Sequence, residues 1–166
     1  MELNYRKAKM SEMDIAFDLL KEAAEWLNEK GIDYWQVWHD PTEEYKDWIK
    51  HGFENREFYF VEKDKKIVGM FRLKFHDEMF WGEKNDKAGY IHSFTTKRSL
   101  KGHGIGTQIL KDIEDKLKSK SINILRLDCG ADNKKLCNYY EDYGFSEAGI
   151  TELKEDKLRL YEKRID

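Results

Sequence analysis

The spacing of apolar residues predicts a chain in which strands and helices follow one another. Leu3–Ala8 alternates weakly between apolar and polar positions, which favours a first strand. Ile15–Leu27 carries apolar residues at helical spacing, and we expect this helix to be capped by Ser11 and to stop at Gly31. Its single apolar face predicts packing against a core.

A second helix and a hairpin are predicted next. Asp40-Pro41 marks a helix start because proline fits the first helical position, and Gly52 marks the expected end. Two short apolar runs, Phe58–Val61 and Ile67–Phe75, flank the turn residues Asp64-Lys65-Lys66. This pattern predicts a β-hairpin.

The rest of the chain adds further strands and helices after a polar loop over residues 76–87. The predicted strands are Gly89–Thr95, Ile122–Leu127, Phe145–Leu153 and Lys157–Lys163, with a turn at Glu155-Asp156. The predicted helices carry apolar residues from Ile109 to Leu117 and extend from Asp132 or Asn133 to Gly144. The order β-α-α-β-β-β-α-β-α-β-β predicts an α/β fold with a mixed sheet, in which an antiparallel meander precedes a crossover that makes parallel neighbours.

Length and composition fit one domain over residues 1–166. Hydrophobic residues make up 40% and charged residues 38% of the chain, which favours a sizeable core under a charged surface. The net charge is −3 without a basic block, which argues against nucleic acid, and no apolar run reaches membrane length. Cys129 and Cys137 lack zinc-ligand spacing and are too few for a disulfide framework, so we expect free thiols, no metal and a cytoplasmic protein.

The segment Lys101–Thr107, Lys-Gly-His-Gly-Ile-Gly-Thr, leads directly into an apolar helical pattern. Glycine permits positive φ and close approach of a ligand, and the first N–H groups of a helix have no partner within it. With the helix dipole, these groups predict a phosphate or pyrophosphate site. A Walker A loop is disfavoured because no lysine precedes Thr107, and a dinucleotide fingerprint requires a different glycine spacing after the first strand.

A second segment combines with this loop to carry a family resemblance. Lys101–Gly106 resembles the Arg/Gln-x-x-Gly-x-Gly/Ala loop of the GNAT superfamily of N-acetyltransferases. Asn133–Phe145 resembles that family's Asn-x-x-Ala-x-x-Phe-Tyr-x-x-x-Gly-Phe segment, and the order of elements is similar along nearly the whole chain. Two positions depart from the pattern: Lys101 replaces Arg or Gln, and Leu136 replaces a small residue.

The resemblance implies an enzyme that moves acetyl from acetyl-CoA to a primary amine by direct attack. It implies that the strand backbone near Thr95 pairs with the pantetheine amides, as an added strand would. It also implies that Tyr140 lies beside the thioester sulfur and protonates the leaving thiolate. The implied cofactor-binding residues are Phe94, Thr95, Thr96, Lys101, Gly102, His103, Gly104, Ile105, Gly106, Thr107, Asn133 and Tyr140.

Each catalytic candidate also has a structural interpretation. Tyr140 is either the general acid or an aromatic core residue, which is the role that we expect for Tyr139 and Tyr143. His92, on a predicted strand, is either the base that takes the amine proton or a hydrogen-bonded structural residue. Asp128, at the end of a predicted strand, is either a base or, as we expect, a cap for the next segment.

Aromatic residues make up 14% of the chain, and those outside the motifs suggest where the acceptor binds. Trp35 and Trp38 form either a satellite core or an acceptor pocket able to face a cation. Asp77 and Trp81 lie in a loop that is either an acidic rim for an amine or a solvated charge cluster. The acceptor itself, a small-molecule or peptide amine, is not named by the sequence. Exposed aromatics and a C-terminal strand pair are compatible with a homodimer.

Two other function classes stay open at this stage. One is a non-catalytic acyl-CoA-binding or sensing module with the same fold. Tyr140 discriminates against it, because an inert module does not need this hydroxyl. The other is a nucleotide-binding protein that uses the glycine loop for ATP or NAD, and the glycine spacing disfavours it.

Overall fold

The computed structural model of the protein describes residues 1–154 and 156–166. The strands within these ranges are β1 (Asn4–Lys7), β2 (Phe58–Lys63), β3 (Lys66–Lys74), β4 (Gly89–Thr96), β5 (Ile124–Gly130), β6 (Ser146–Leu153) and β7 (Asp156–Arg164). The helices are α1 (Met13–Glu29), α2 (Glu43–Glu54), α3 (Glu78–Trp81), α4 (Ile105–Ser119) and α5 (Lys134–Tyr143). In this part of the chain, no helix is long and apolar enough to cross a membrane.

The strands form one mixed sheet in the order β1-β2-β3-β4-β5-β7-β6. β1, β2 and β3 make antiparallel pairs. β4 lies parallel to β5, with Gly89 opposite Leu125 and Tyr90 opposite Arg126. β7 then pairs antiparallel with both β5 and β6. The predicted α/β class with a mixed sheet is therefore confirmed, and the four-residue helix α3 is an addition inside the predicted polar loop.

Contacts divide the chain into two compact units. The first comprises Met1–Leu73 with Ser93–Gly106, and the second comprises Lys74–His92 with Thr107–Asp166. The boundary falls inside β4, after His92. A single domain over residues 1–166 stays a prediction.

The first unit has a core of aliphatic and aromatic side chains from α1, α2 and the β2–β3 hairpin. The fully buried members include Ala16, Leu20, Ala24, Ile49, Phe60 and Met70. The start of α1 differs from the prediction, because Ser11 lies in a 3-10 turn that Glu12 caps, and Glu12 stands at the N-cap of α1 without a side-chain hydrogen bond to that helix. The carboxylate of Glu12 accepts a hydrogen bond from the N–H of Lys9 at 2.9 Å. It also accepts hydrogen bonds from both terminal nitrogens of Arg6, at 2.9 and 2.8 Å. The predicted stop at Gly31 is confirmed by its φ of 73°.

Helix α2 passes through Gly52 and ends at Glu54, so the predicted end at Gly52 is wrong. A Cβ at Gly52 would lie 2.4 Å from Cε2 of Phe58 and 2.8 Å from Nε of Arg72. The glycine is therefore explained by the close approach of α2 to the hairpin, and not by a left-handed helix end.

Gly52→Ala is expected to lower the free energy of unfolding by about 1–3 kcal/mol, because overpacking outweighs the better helix propensity of alanine. Denaturant unfolding measures this change. Lys50→Ala, at an exposed position of the same helix, is the control and should change stability by less than about 0.5 kcal/mol. A Gly52→Ala protein as stable as the parent would contradict the close packing.

In the second unit, one carboxylate joins α4, α5 and β7. Glu114 accepts the hydroxyl of Tyr143 and lies 2.9 Å from Nζ of Lys163. β6 and β7 complete this unit, and Glu155 lies outside the described residues. The predicted turn at Glu155-Asp156 is therefore untested, although Asp156 already pairs with Leu153.

Candidate functional site

The glycine loop presents bare backbone at the start of a helix. A 3-10 turn over Arg98–Leu100 precedes the loop, and α4 begins at Ile105. Gly102 and Gly104 have φ values of 86° and 74°, a conformation that residues with a Cβ rarely adopt. Apart from the adjacent residues, no heavy atom of the described part of the chain lies within 4 Å of a Cβ built at either glycine. The predicted loop conformation is therefore present, and the space above both glycines is open to a ligand.

Side chains around the loop leave that space open. Ile105 is 2% exposed, so only its backbone is available to a ligand. His103 is exposed, as predicted. Nζ of Lys101 lies 4.5 Å from the centre of the Trp26 ring on α1, which places a cation at the first position of the loop.

Arg98 lies beside the loop within the first unit. Its guanidinium carbon is 4.8 Å from the Trp26 ring centre, and its terminal nitrogen donates to Oγ1 of Thr95 at 3.2 Å. Its backbone N–H donates to Glu22 at 3.2 Å. Burial lowers the pKa of Arg98, with the Glu22 charge acting in the opposite direction. These contacts fix the turn that leads into Lys101.

The strand residues predicted to meet the pantetheine lie in the second half of β4. Thr95 is buried, whereas Phe94 and Thr96 are half-buried. A Cβ at Gly69 of β3 would lie 2.8 Å from the carbonyl oxygen of Thr95, so this part of β4 lies close against β3. Ser93, just before it, has a φ of 51°, an irregularity that redirects neighbouring side chains.

The second unit carries the α5 residues of the predicted site. Asn133 caps α5, because its side-chain oxygen accepts the N–H of Leu136 at 3.2 Å. Thr107, in the first turn of α4, shares a hydrogen bond of 2.7 Å with the hydroxyl of Tyr139. The expected core role of Tyr139 is wrong, since this residue is 36% exposed and its hydroxyl meets a polar partner.

Tyr140 has a buried ring and a hydroxyl that forms no hydrogen bond with the described residues. The ring is 6% exposed and lies 5.6 Å from the ring of Phe145 and 6.1 Å from that of Tyr161. Among the described residues, none forms a hydrogen bond with its hydroxyl. Burial raises the pKa of Tyr140 far above its usual value, and the nearby Cys129 and Asp128 raise it further. The hydroxyl therefore stays protonated at neutral pH, as a general acid requires.

Three titratable side chains meet in the second unit. Nε2 of His92 lies 2.7 Å from Oδ2 of Asp77, and Nδ1 of His92 lies 3.6 Å from Oδ2 of Asp128. The Phe80 ring covers the imidazole at a centre-to-centre distance of 4.5 Å. The exposed fractions of these side chains are 0% for Asp77, 6% for His92 and 7% for Asp128. The predicted interpretation of Asp77 as part of a solvated charge cluster is therefore wrong, and its part in an acidic rim for an amine stays a prediction.

The sequence analysis predicted the wrong structural position for Asp128. It lies inside β5, opposite Leu160 of β7, so it does not cap the segment that follows. Burial raises the pKa of its carboxyl to about 6; His92 opposes this rise and Asp77 adds to it. The sequence signal was an acidic residue in a strand that, apart from Arg126, is otherwise made of apolar residues and glycine. The sequence did not reveal the histidine opposite it.

The aromatic candidates for the acceptor site are mostly core residues. Trp38 is 7% exposed and lies in the hydrophobic cluster of the first unit, with Tyr45 in edge contact at 5.5 Å. Trp35 is half-buried, takes a φ of 64° and stacks on Tyr34 at 5.8 Å. The satellite core is therefore present. Contact of either tryptophan with a substrate stays a prediction.

Trp81 lies in the hydrophobic cluster of the second unit. It is 8% exposed and makes an edge contact with Tyr90 at 5.9 Å. The guanidinium of Arg126 lies 5.2 Å from its ring centre and is paired with Asp86 at 2.6 Å. A structural role thus accounts for Trp81, and its contact with an acceptor stays a prediction.

Comparison with known proteins defines the class of this chain. The model of the acetyltransferase (GNAT) family matches residues 20–145, and the chain belongs to this family. It is therefore an acyltransferase by family, and the predicted family and fold class are both confirmed.

Individual relatives agree with this assignment. An uncharacterized N-acetyltransferase of Bacillus subtilis, YesJ, is 26% identical over 89% of this chain and 82% of its own length. A GNAT acetyltransferase of Listeria monocytogenes is 25% identical, with a TM-score of 0.76 over 99% of this chain and 95% of that one. The PaiA N-acetyltransferase of Thermoplasma acidophilum, solved in complex with coenzyme A, is 18% identical, with a TM-score of 0.64 over 99% of both chains. That last likeness concerns the fold alone.

Proposed function

We propose that this protein transfers an acetyl group from acetyl-CoA to a primary amine by direct attack of the amine on the thioester. The observation that carries the proposal is the glycine loop at the start of α4. Gly102 and Gly104 take positive φ, and the space that a Cβ would fill is open at both. A pyrophosphate needs this kind of bare backbone at a helix N-terminus.

The proposed donor site uses backbone for binding and few side chains. The loop residues 101–106 and Thr107 hold the pyrophosphate, and the backbone of Phe94, Thr95 and Thr96 pairs with the pantetheine amides. Nζ of Lys101, at the Trp26 ring, adds a positive charge where the family has Arg or Gln. Asn133 already caps α5, so we assign it a supporting role there. The coenzyme A complex of the Thermoplasma relative supports this choice of ligand.

The reaction needs one proton removed and another supplied. An alkylamine with a pKa near ~10.4 is about one part in 10³ neutral at pH 7, so a base must deprotonate it before attack. The thiolate leaves more easily when it is protonated. Tyr140 supplies this proton in our proposal because its hydroxyl is protonated and has no protein partner among the described residues. His92, which is hydrogen-bonded to Asp77 and lies 3.6 Å from Asp128, belongs to the group that receives the amine proton.

A non-catalytic acyl-CoA-binding module with the same fold is the second candidate. One observation favours it: the Asp77–His92–Asp128 cluster is nearly closed to solvent, with no side chain more than 7% exposed. Tyr140 argues against it, because an inert module does not need a tyrosine hydroxyl that none of the described residues engages.

Cell context and partners complete the proposal. We propose one cytoplasmic domain that acts on a small-molecule or peptide amine and forms a homodimer. Sγ of Cys129 and Sγ of Cys137 lie 3.5 Å apart without a bond, which fits a reducing compartment.

Acetyl-CoA is expected to raise the melting temperature by about 5–10 °C at ~100 times its Kd, because only the folded protein binds it. NAD and ATP at the same concentration should leave the melting temperature unchanged. Differential scanning fluorimetry measures all three. If acetyl-CoA produces no shift at millimolar concentration, the donor assignment fails, and a shift with NAD or ATP alone would favour the nucleotide-binding class.

A further inference from the structure

The carboxylate of Asp128 is nearly inaccessible to solvent and has one oxygen without a hydrogen-bond partner. Its side chain is 7% exposed, and its Oδ2 has no hydrogen-bond partner among the described residues. The 3.6 Å separation from Nδ1 of His92 is too long for a hydrogen bond. Oδ1 of Asp77, on the other side of His92, is also without such a partner, and Nζ of Lys74 lies 3.9 Å from it. A buried carboxylate without a hydrogen-bond partner lowers the stability of the fold, so its presence here suggests a function.

From this geometry we infer that Asp128 is the general base that takes the proton from the acceptor amine, with His92 and Asp77 as the residues that position and tune it. The inference rests on the proposed function and goes beyond it, because the first group to accept the proton of the amine is the carboxylate of Asp128 and not the imidazole of His92.

The arrangement of the cluster selects Asp128 over its two neighbours. Nε2 of His92 donates to Asp77 when that carboxylate is ionised, and Nδ1 faces Asp128. Both ring nitrogens of His92 therefore face carboxylates, and neither is left to face an amine. Asp77 is fully closed off, with a side-chain exposure of 0%. Asp128 is the most exposed of the three side chains, at 7%, so we assign the amine to its carboxylate, with His92 behind it.

Asp128 and Tyr140 differ in protonation state at neutral pH, although burial raises the pKa of both. Both residues lie in the second unit, and the charge of Asp128 is one of the causes that raise the pKa of Tyr140. Burial gives the carboxyl a pKa of about 6, so it is ionised at neutral pH yet more basic than an exposed aspartate. The tyrosine stays protonated over the same pH range. Two titratable groups tuned in this way define a base and an acid.

The proposed step balances as follows. The substrate ammonium gives one proton to the Asp128 carboxylate, and the neutral nitrogen attacks the thioester carbonyl carbon. The N–C bond forms and the C–S bond then breaks. The departing sulfur receives the hydroxyl proton of Tyr140, which regains a proton from the second N–H of the nitrogen. Asp128 releases its proton to solvent as the products leave, so that the products are one amide, one thiol and one proton.

The pH dependence has a defined sign. The base must be ionised, so kcat/KM should fall as the pH drops through about 6, the pKa of Asp128. The groups that face this carboxylate are His92 from β4, Asp77 from the segment before α3 with Lys74 beside it, and Tyr140 from α5. His92 lowers the pKa of Asp128 and Asp77 raises it. His92→Gln should therefore shift the fall of kcat/KM on the acid side of the pH profile (its acid limb) to higher pH. Asp77→Asn should shift the same limb to lower pH.

The decisive experiment compares two acceptors that differ in basicity. Ethylamine is ionised at pH 7, whereas trifluoroethylamine, of the same length, is mostly neutral there and needs no base before attack. We expect Asp128→Asn to lower kcat/KM about 10²-fold or more with ethylamine and less than about 10-fold with trifluoroethylamine. Asp128→Glu should recover part of the ethylamine rate. Thiol release from acetyl-CoA, followed from pH 5 to 9, gives every rate.

Each outcome separates the base from a structural residue and from a failed proposed function. An equal loss with both amines, or an acid limb that does not move in His92→Gln and Asp77→Asn, would overturn the role of Asp128.

Binding of acetyl-CoA to Asp128→Asn, checked by calorimetry, should be unchanged. The melting temperature of this variant at pH 8 should be no lower than that of the parent, because the folded-state pKa lies above the unfolded value and an ionised Asp128 destabilises the fold. If the parent protein releases no thiol with these two amines, nor with a polyamine, an aminoglycoside, an amino acid or a peptide amine, the proposed function fails, and the inference fails with it.

Discussion

Tyr140→Phe is expected to lower kcat by about 10²–10³-fold while the affinity for acetyl-CoA stays nearly constant. The change removes one oxygen from a ring that is 6% exposed and leaves its contacts with Phe145 and Tyr161 in place. The fold should therefore be intact. The loss should appear in kcat, because the hydroxyl acts on the leaving thiolate and not on the bound donor. Steady-state kinetics and calorimetric titration with acetyl-CoA measure the two quantities.

Tyr143→Phe is the matched control for this variant. Tyr143 lies on the same helix, and its hydroxyl is already committed to Glu114. Its loss should lower stability by about 1 kcal/mol and change kcat by less than about threefold. If Tyr140→Phe retained the parent kcat, Tyr140 would not be the acid and the non-catalytic module would gain support.

Gly104→Val is expected to abolish measurable binding of acetyl-CoA. The residue has a φ of 74°, which a β-branched side chain tolerates poorly, and the new methyl groups would fill the open space above the loop. Both effects act on the place where the pyrophosphate is proposed to lie. Calorimetry or a thermal shift with acetyl-CoA detects the loss.

Gly31→Val separates backbone strain from ligand contact. Gly31 has a φ of 73° and, like Gly104, nothing within 4 Å of a Cβ, but it lies at the end of α1 and not in the loop. The two substitutions should therefore impose similar strain. Gly31→Val should lower the melting temperature and keep the affinity for acetyl-CoA. Tight binding by Gly104→Val would mean that the loop does not hold the pyrophosphate.

Local chemistry made much of the fold predictable. The glycine spacing of residues 101–106 indicated positive φ at a helix start, and Gly102 and Gly104 have it. The stop at Gly31 followed from the same backbone freedom. Alternating and helical periodicities located the strands and main helices to within a few residues, because each element needs an apolar face toward the core.

Contacts between distant residues account for the failures. Gly52 looked like a helix end, but its meaning depends on Phe58 and Arg72, which approach it from the hairpin. Asp77 lay in a charged loop, and only the fold places it against His92, fifteen positions away. Asp128 seemed to cap a segment because its strand continues three residues further than the apolar pattern suggested.

The most direct test of the central claim is release of free thiol from acetyl-CoA with a panel of primary amines. The panel contains a polyamine, an aminoglycoside, an amino acid, a peptide with a free N-terminus and a peptide with an internal lysine. We expect release that depends on at least one amine, with an equal amount of acetylated amine identified by mass spectrometry. Binding of acetyl-CoA without amine-dependent release for any member of the panel would contradict the assignment as an N-acetyltransferase.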